Sequence, residues 1–244
     1  MTLTSSLNIH TFIIALASFL PSAVWLFYYL RKDVNPEPKR TIAQLFLVGF
    51  ILPFFLGDLE HAAQGWLASY GVSSLAFSFL LVAAFIEEIM KYLAALTIYY
   101  HNKEFDEPVD AMIYLIVTAL GFAAAENLIY ALATSQSDPS QNIVLLIVLR
   151  FLGATLLHTL TSGIIGYFIA RSYFLNESFG IMRGLLWATL IHTLFNFFIL
   201  GISKQESTFQ FLFLIILLLA GGSIIIMKDF KKLKQYGDSN LTQF

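Results

Sequence analysis

The sequence predicts an all-α protein, a polytopic transmembrane helix bundle of about seven spans. Three observations predict it. Of 244 residues, 58% are apolar and only 12% are Asp, Glu, Lys or Arg, about half the charge a soluble domain carries, so lipid must solvate most of the surface. Mean hydropathy is +0.75, and no polar stretch is long enough to fold separately. The apolar blocks also have the length a bilayer demands, about 20 residues for ~30 Å of hydrocarbon. The whole chain, 1–244, therefore reads as a single integral-membrane domain. A net charge of −2 suggests no nucleic acid as partner, and the lack of cysteine excludes disulfides, thiolate metal sites and a cysteine nucleophile.

Seven segments qualify as spans: 9–30, 41–57, 73–100, 109–133, 142–171, 179–200 and 208–227. The first follows Met1 to Asn8, which lacks the positive n-region of a secretory signal, so it is expected to stay as an anchor. The second is the weakest. Pro53 interrupts it, and the amphipathic piece Leu59 to Tyr70 that follows suits the membrane interface. Asp58, Glu60 and His61 at that point read as a solvated loop, with an outer cation site as the sharper alternative. The basic tail, Lys228 to Lys234, is expected to meet anionic headgroups of the lipid bilayer.

Orientation follows from the cations, which are retained on the cytoplasmic side. With the N-terminus out, the cytoplasmic flanks hold Arg31, Lys32, Lys39, Arg40, Lys103, Arg171, Arg183, Lys228, Lys231, Lys232 and Lys234, eleven of the fourteen. The outer loops hold only Lys204, and Lys91 and Arg150 fall inside spans. The expectation is N-terminus out and C-terminus cytoplasmic.

Ionisable side chains inside the spans are the informative anomaly. Each costs roughly 2.5–3.5 kcal/mol at the middle of a helix on insertion scales. Even after discounts for pairing, Glu87, Glu88, Lys91, Glu126, Arg150, His158 and His192 together oppose insertion by about 10 kcal/mol, so they must face one another or a wet cavity. In the third span, Lys91 stands one turn from Glu87 and Glu88. The two glutamates point about 100° apart, so one can pair with Lys91 or Arg150 while the other faces a substrate. A closed ion pair that only fixes packing is the competing reading. In the fourth span, Glu126 and Asn127 follow small residues that admit a neighbouring helix closely. Asp110 and Tyr114, near its start, look like an interfacial anchor. The fifth span carries His158 with Ser162 one turn on, and the sixth carries His192 with Asn196 one turn on. Glu87, Glu88, His158 and His192 lie about halfway along their segments and Glu126 a turn or two further out, which permits one site near the midplane.

Four of these units, Glu87-Glu88-x-x-Lys91, Phe122-x-x-x-Glu126-Asn127, His158-x-x-x-Ser162 and His192-x-x-x-Asn196, stand in the order found in the PrsW family of intramembrane proteases. The sequence resembles that family, part of a wider group with the CAAX prenyl endopeptidases and bacteriocin-immunity membrane proteins. The Asn35-Pro-Glu-Pro38 loop and the Asp110-x-x-x-Tyr114 helix start share the likeness, which covers roughly residues 25–200 with a motif-bearing core at 73–200. It implies a bacterial, multi-pass cell-membrane endopeptidase acting on a membrane-anchored protein, such as an anti-sigma factor. It also implies that the paired glutamates and the two histidines are essential.

Peptide hydrolysis needs an activated water, a donor to the oxyanion and a proton for the leaving amine. With no nucleophilic serine or cysteine in evidence, water itself is the expected nucleophile. In the favoured scheme no cofactor is required: Glu87 or Glu88 takes the proton, His158 positions the water, and His192 and Asn196 donate to the oxyanion. Glu126 completes the catalytic set, and Lys91, Asn127, Ser162 and Arg150 support it. In the second scheme His158, His192 and Glu88 hold Zn²⁺, which lowers the pKa of its water toward ~7. An ion- or proton-coupled transporter would also bury carboxylates and histidines, although the polar units do not repeat as transporter halves often do. Haem ligation by the two histidines is a further alternative.

Overall fold

A computed structural model describes residues 9–33, 35–73, 76–99, 102–138, 140–204 and 207–241, and every regular element among them is helical. The order is α1 (Ile9–Leu30), α2 (Lys39–Ile51), α3 (Pro53–Ser69), α4 (Phe77–Tyr99), α5 (Pro108–Ser137), α6 (Ile143–Arg150), a π-helical turn (Phe151–Thr155), α7 (Leu156–Phe174), α8 (Gly180–Ser203) and α9 (Thr208–Leu241). The segment Met1–Asn8 lies outside the described residues.

Among the described residues, six helical stretches are long and apolar enough to cross a membrane: Thr11–Leu30, Lys39–Ser69, Pro108–Ser137, Ile143–Phe174, Gly180–Ser203 and Thr208–Tyr236. Helix α4 has 23 residues but carries Glu87, Glu88 and Lys91 around its centre, so apolar composition alone does not qualify it. Those three side chains are all buried. With its charges turned into the protein, α4 reads as the remaining span.

The second span differs from the sequence expectation. Leu52 keeps helical dihedrals between α2 and α3 (φ −54°, ψ −48°), and Pro53 occupies the first turn of α3, where its missing N–H costs least. The amphipathic stretch therefore continues the helix. Asp58, Glu60 and His61 sit on α3 instead of in a loop. The 31 residues Lys39–Ser69 would extend about 46 Å, beyond the ~30 Å of hydrocarbon, which leaves part of them at or past the interface.

Helix α5 is the central post. Its residues 108–125 are all buried, and it packs against α1, α2, α4, α7 and α9. Close approach requires glycine at two places. A Cβ on Gly121 would collide with the carbonyl of Phe46 in α2, and one on Gly49 with the carbonyl of Thr118 in α5. Helix α7, the other largely buried helix, lies beside α5 and leads to α8. At one end of the bundle the α1–α2 and α4–α5 loops meet through Asn35 and Glu107. Lys232 of α9 lies 5.9 Å from the Tyr167 ring of α7 there, and Lys234 is within electrostatic reach of Asp33.

Candidate active site

The ionisable residues of four spans meet at one place. On α4, Glu88 and Lys91 are separated by one turn and fully buried, with Lys91 Nζ 2.6 Å from Glu88 Oε1. The same Oε1 accepts from Thr161 Oγ1 of α7 at 3.1 Å and pairs with His192 Nδ1 of α8 at 2.7 Å. A carboxylate oxygen accepts, which assigns the His192 proton to Nδ1 and turns the Nε2 lone pair outward. That Nε2 lies 3.8 Å from Glu87 Oε2.

Helix α7 contributes His158. Its Nδ1 is 3.2 Å from Lys91 Nζ and its Nε2 is 3.0 Å from Glu126 Oε2 of α5. Nζ–H donates to Nδ1 and Nε2–H donates to Glu126, a single consistent tautomer. The ring stands edge-on to His192, with centroids 5.2 Å apart, and to Phe122 at 5.1 Å. Phe122 also receives Lys91 Nζ over its face, 5.0 Å from the centroid, a cation–π contact worth more where water is excluded.

Glu126 is the partly open member, with 21% of its side chain exposed. Arg150 reaches its Oε2 at 3.0 Å and also donates from Nε to Asn127 Oδ1 at 2.6 Å. Asn127 Nδ2 in turn donates to Thr155 Oγ1 at 3.1 Å. Arg150 and His158 are eight residues apart, which on an uninterrupted α-helix leaves them about 80° out of line. The π turn between them accommodates one extra residue and reduces the mismatch to about 20°, so both reach one carboxylate oxygen. Trp25 of α1 donates from Nε1 to the carbonyl of Phe151 in that turn at 3.2 Å, and the two rings pack 5.5 Å apart.

Glu87, Glu88, Lys91, Glu126, Asn127, Arg150, His158 and His192 thus form one connected assembly. Two sequence candidates stay outside the assembly among the described residues. Ser162 Oγ is buried without a partner, and Asn196 is half-buried one turn beyond His192 with no side-chain hydrogen bond. Thr161 and Thr155 contact the assembly although sequence reading passed over them. Thr161 was legible in principle, since spacings of three and four from His158 share a helix face, whereas the π turn that aligns Thr155 leaves no local signature. Glu60 was read as a solvated loop residue, but it faces inward from α3 within electrostatic reach of Glu126 and Glu87.

Glu87, His158 and His192 each offer a ligand atom, all within 4.8 Å of one another and all buried. The glutamate grouped with the two histidines is therefore Glu87, not the Glu88 expected from sequence. Oε2 of each glutamate is buried with no hydrogen-bond partner, but Glu88 is engaged through Oε1 by Lys91, Thr161 and His192, whereas no hydrogen bond holds the Glu87 side chain among the described residues. The donor set suits Zn²⁺, for which His₂Glu is a familiar catalytic combination. Glu88 holding His192 through Nδ1 is the carboxylate–histidine support such ligands use.

Fold and site together define a polytopic helical membrane protein with a buried carboxylate–imidazole centre. Residues 37–221 match the family described as "PrsW family intramembrane metalloprotease", and the chain belongs to that family. It is 31% identical over 182 residues to Protease PrsW of Geobacillus kaustophilus, covering 74% of this chain and 72% of that protein. Protease PrsW of Clostridioides difficile is 26% identical over 223 residues, covering 91% and 90%, and that of Bacillus subtilis is 24% identical over 197 residues, covering 79% and 85%. No solved structure matches the chain. It is a multi-pass membrane protein of a bacterial peptidase family.

Proposed function

We propose that the whole chain acts as one unit, with its core at 73–200, to hydrolyse a peptide bond of a membrane-anchored protein. Water held among Glu87, His158 and His192 is the nucleophile in this reading. The observation that supports it is the contrast between adjacent glutamates. Both have a buried, unpartnered Oε2, but Glu88 is tied to three partners through Oε1, while Glu87 has no side-chain hydrogen bond among the described residues and lies beside His192 Nε2. A water there accepts from nothing it must break, and it has a carboxylate to receive its proton.

Each residue then has a role. Glu87 takes the proton of the attacking water and returns it to the leaving amine. Glu88 fixes the tautomer and orientation of His192. Glu126, steadied by Arg150, does the same for His158, and Asn127 with Thr155 holds Arg150 in place. Lys91 pairs with Glu88 and closes the ring at His158 Nδ1. Asn196, not engaged by the assembly, is available to the substrate carbonyl oxygen as it becomes an oxyanion. If a zinc ion occupies the centre, Glu87, His158 and His192 hold it and the ion supplies Lewis acidity to the water; His158 then gives up its contact with Lys91 or Glu126. Glu60 lines the approach from α3. In this reading the N-terminus is outside and the C-terminus cytoplasmic, which the gathering of the cation-bearing loops at one end supports. Family membership argues against the transporter reading.

Purified protein is to be assayed on a tagged single-span substrate after chelation and after Zn²⁺ add-back, alongside His158→Ala and His192→Ala. Loss of cleavage in both variants is expected. Activity in a preparation free of metal by elemental analysis excludes the zinc version, and cleavage that survives both substitutions overturns the assigned centre.

A further inference from the structure

A second group of carboxylates lies at the opposite level of the molecule, where the α1–α2 and α4–α5 loops meet, and proteolysis makes no use of it. Asp33, Glu107 and Asp110 each present an oxygen, and these atoms lie within 4.8 Å of one another. Helix capping explains part of this arrangement. Asp110 Oδ2 accepts the backbone N–H groups of Asp106 and Glu107 at 3.1 and 2.7 Å, and Glu107 and Asp110 form a capping box at the start of α5. Capping does not explain Asp33, which arrives from a different loop. Its Oδ2 accepts from the Glu37 N–H at 3.2 Å, while its Oδ1 is buried without a hydrogen-bond partner among the described residues.

Glu37 is the second observation. It is 9% exposed, its Oε2 is likewise buried and unpartnered, and it interacts electrostatically with both Asp33 and Asp110. Tyr114, also within electrostatic reach of Glu37, accepts from Asn102 Nδ2 at 2.7 Å. Burial first, and then the neighbouring Asp33 and Asp106 carboxylates, push Glu37 up to about 7. Lys234 of α9 reaches Asp33.

We propose that Asp33, Glu107 and Asp110, with the buried Glu37 carboxylate beside them, form a binding site for a hard divalent cation, Mg²⁺ or Ca²⁺, that ties the α1–α2 loop to the start of α5. The donors are all oxygens, the preference of hard ions and not of zinc. Oxygens within 4.8 Å of one another are close enough to share one ion with bonds of about 2.4 Å. A cation there neutralises the cluster and clamps α4 and α5, which carry Glu87, Glu88 and Glu126, at their shared loop.

The full chain in detergent, stripped with EDTA, is to be melted with MgCl₂, with CaCl₂ and with NaCl at matched ionic strength. A saturable rise in melting temperature of about 5 °C with either divalent salt, absent with NaCl, is expected. Asp33→Asn and Glu107→Gln, each leaving the Asp110 cap in place, should abolish the rise, and Glu87→Ala should retain it, which separates this site from the candidate active centre. A response equal to that of NaCl, or one unchanged in both Asp33→Asn and Glu107→Gln, overturns the proposal.

Discussion

Glu87 and Glu88 are neighbours in sequence, yet about 100° of helix rotation sends them to different environments. Glu88 faces Lys91, Thr161 and His192, so removing its charge strands Lys91 in a buried position. Breaking one partner of a buried pair costs about 3–5 kcal/mol. Glu88→Gln is therefore expected to lower the melting temperature clearly and to reduce cleavage through a misplaced His192; circular dichroism melts with a cleavage assay check both. A stable Glu88→Gln protein with full activity would contradict the positioning role. The spacing allowed one glutamate to pair while the other faces a substrate, without saying which. That choice depends on where α7 and α8 stand around α4, information no local spacing contains.

At the scale of the element, the π turn at Phe151–Thr155 is the least legible feature and among the most consequential. The periodicity of 142–171 reads as one continuous helix, and so it is, but an ideal helix would not bring Arg150 and His158 to the same oxygen. Trp25, on a span with no polar signature, caps the carbonyl in that turn. Trp25→Phe keeps the ring contact and leaves the carbonyl of Phe151 without its donor, a penalty of about 1–3 kcal/mol. A lower melting temperature together with a fall in cleavage rate is the expected outcome, and an unaltered rate would mean that the turn keeps its register without Trp25. The other elements were largely readable, because a span of apolar residues has few alternatives to a helix in lipid. The exception, α3, was obscured by Pro53, which reads as a break but sits where a helix tolerates it.

For the whole molecule, the polar residues explain the packing order. Of the helices that bear the ionisable groups, α4 contacts α5, α7 and α8, and α7 contacts α5 and α8, and α1, α2 and α9 enclose them with exposed apolar faces such as Phe12, Phe27, Leu47 and Phe213. Convergence of four motifs was permitted by their similar depth; the actual pairings required the tertiary arrangement. Topology is testable directly, because the chain has no cysteine. Gln141→Cys, in the α5–α6 loop, should react with an impermeant maleimide in intact cells, whereas Lys103→Cys, in the α4–α5 loop, should react only after permeabilisation. The reverse pattern would invert the orientation.

The central claim is that Glu87 performs the chemistry while its neighbour holds the site together. Cleavage of a membrane-anchored substrate by purified, monodisperse Glu87→Gln tests it most directly. The account predicts a melting temperature close to wild type and a rate reduced at least about 100-fold. Product formed at the wild-type rate would contradict it.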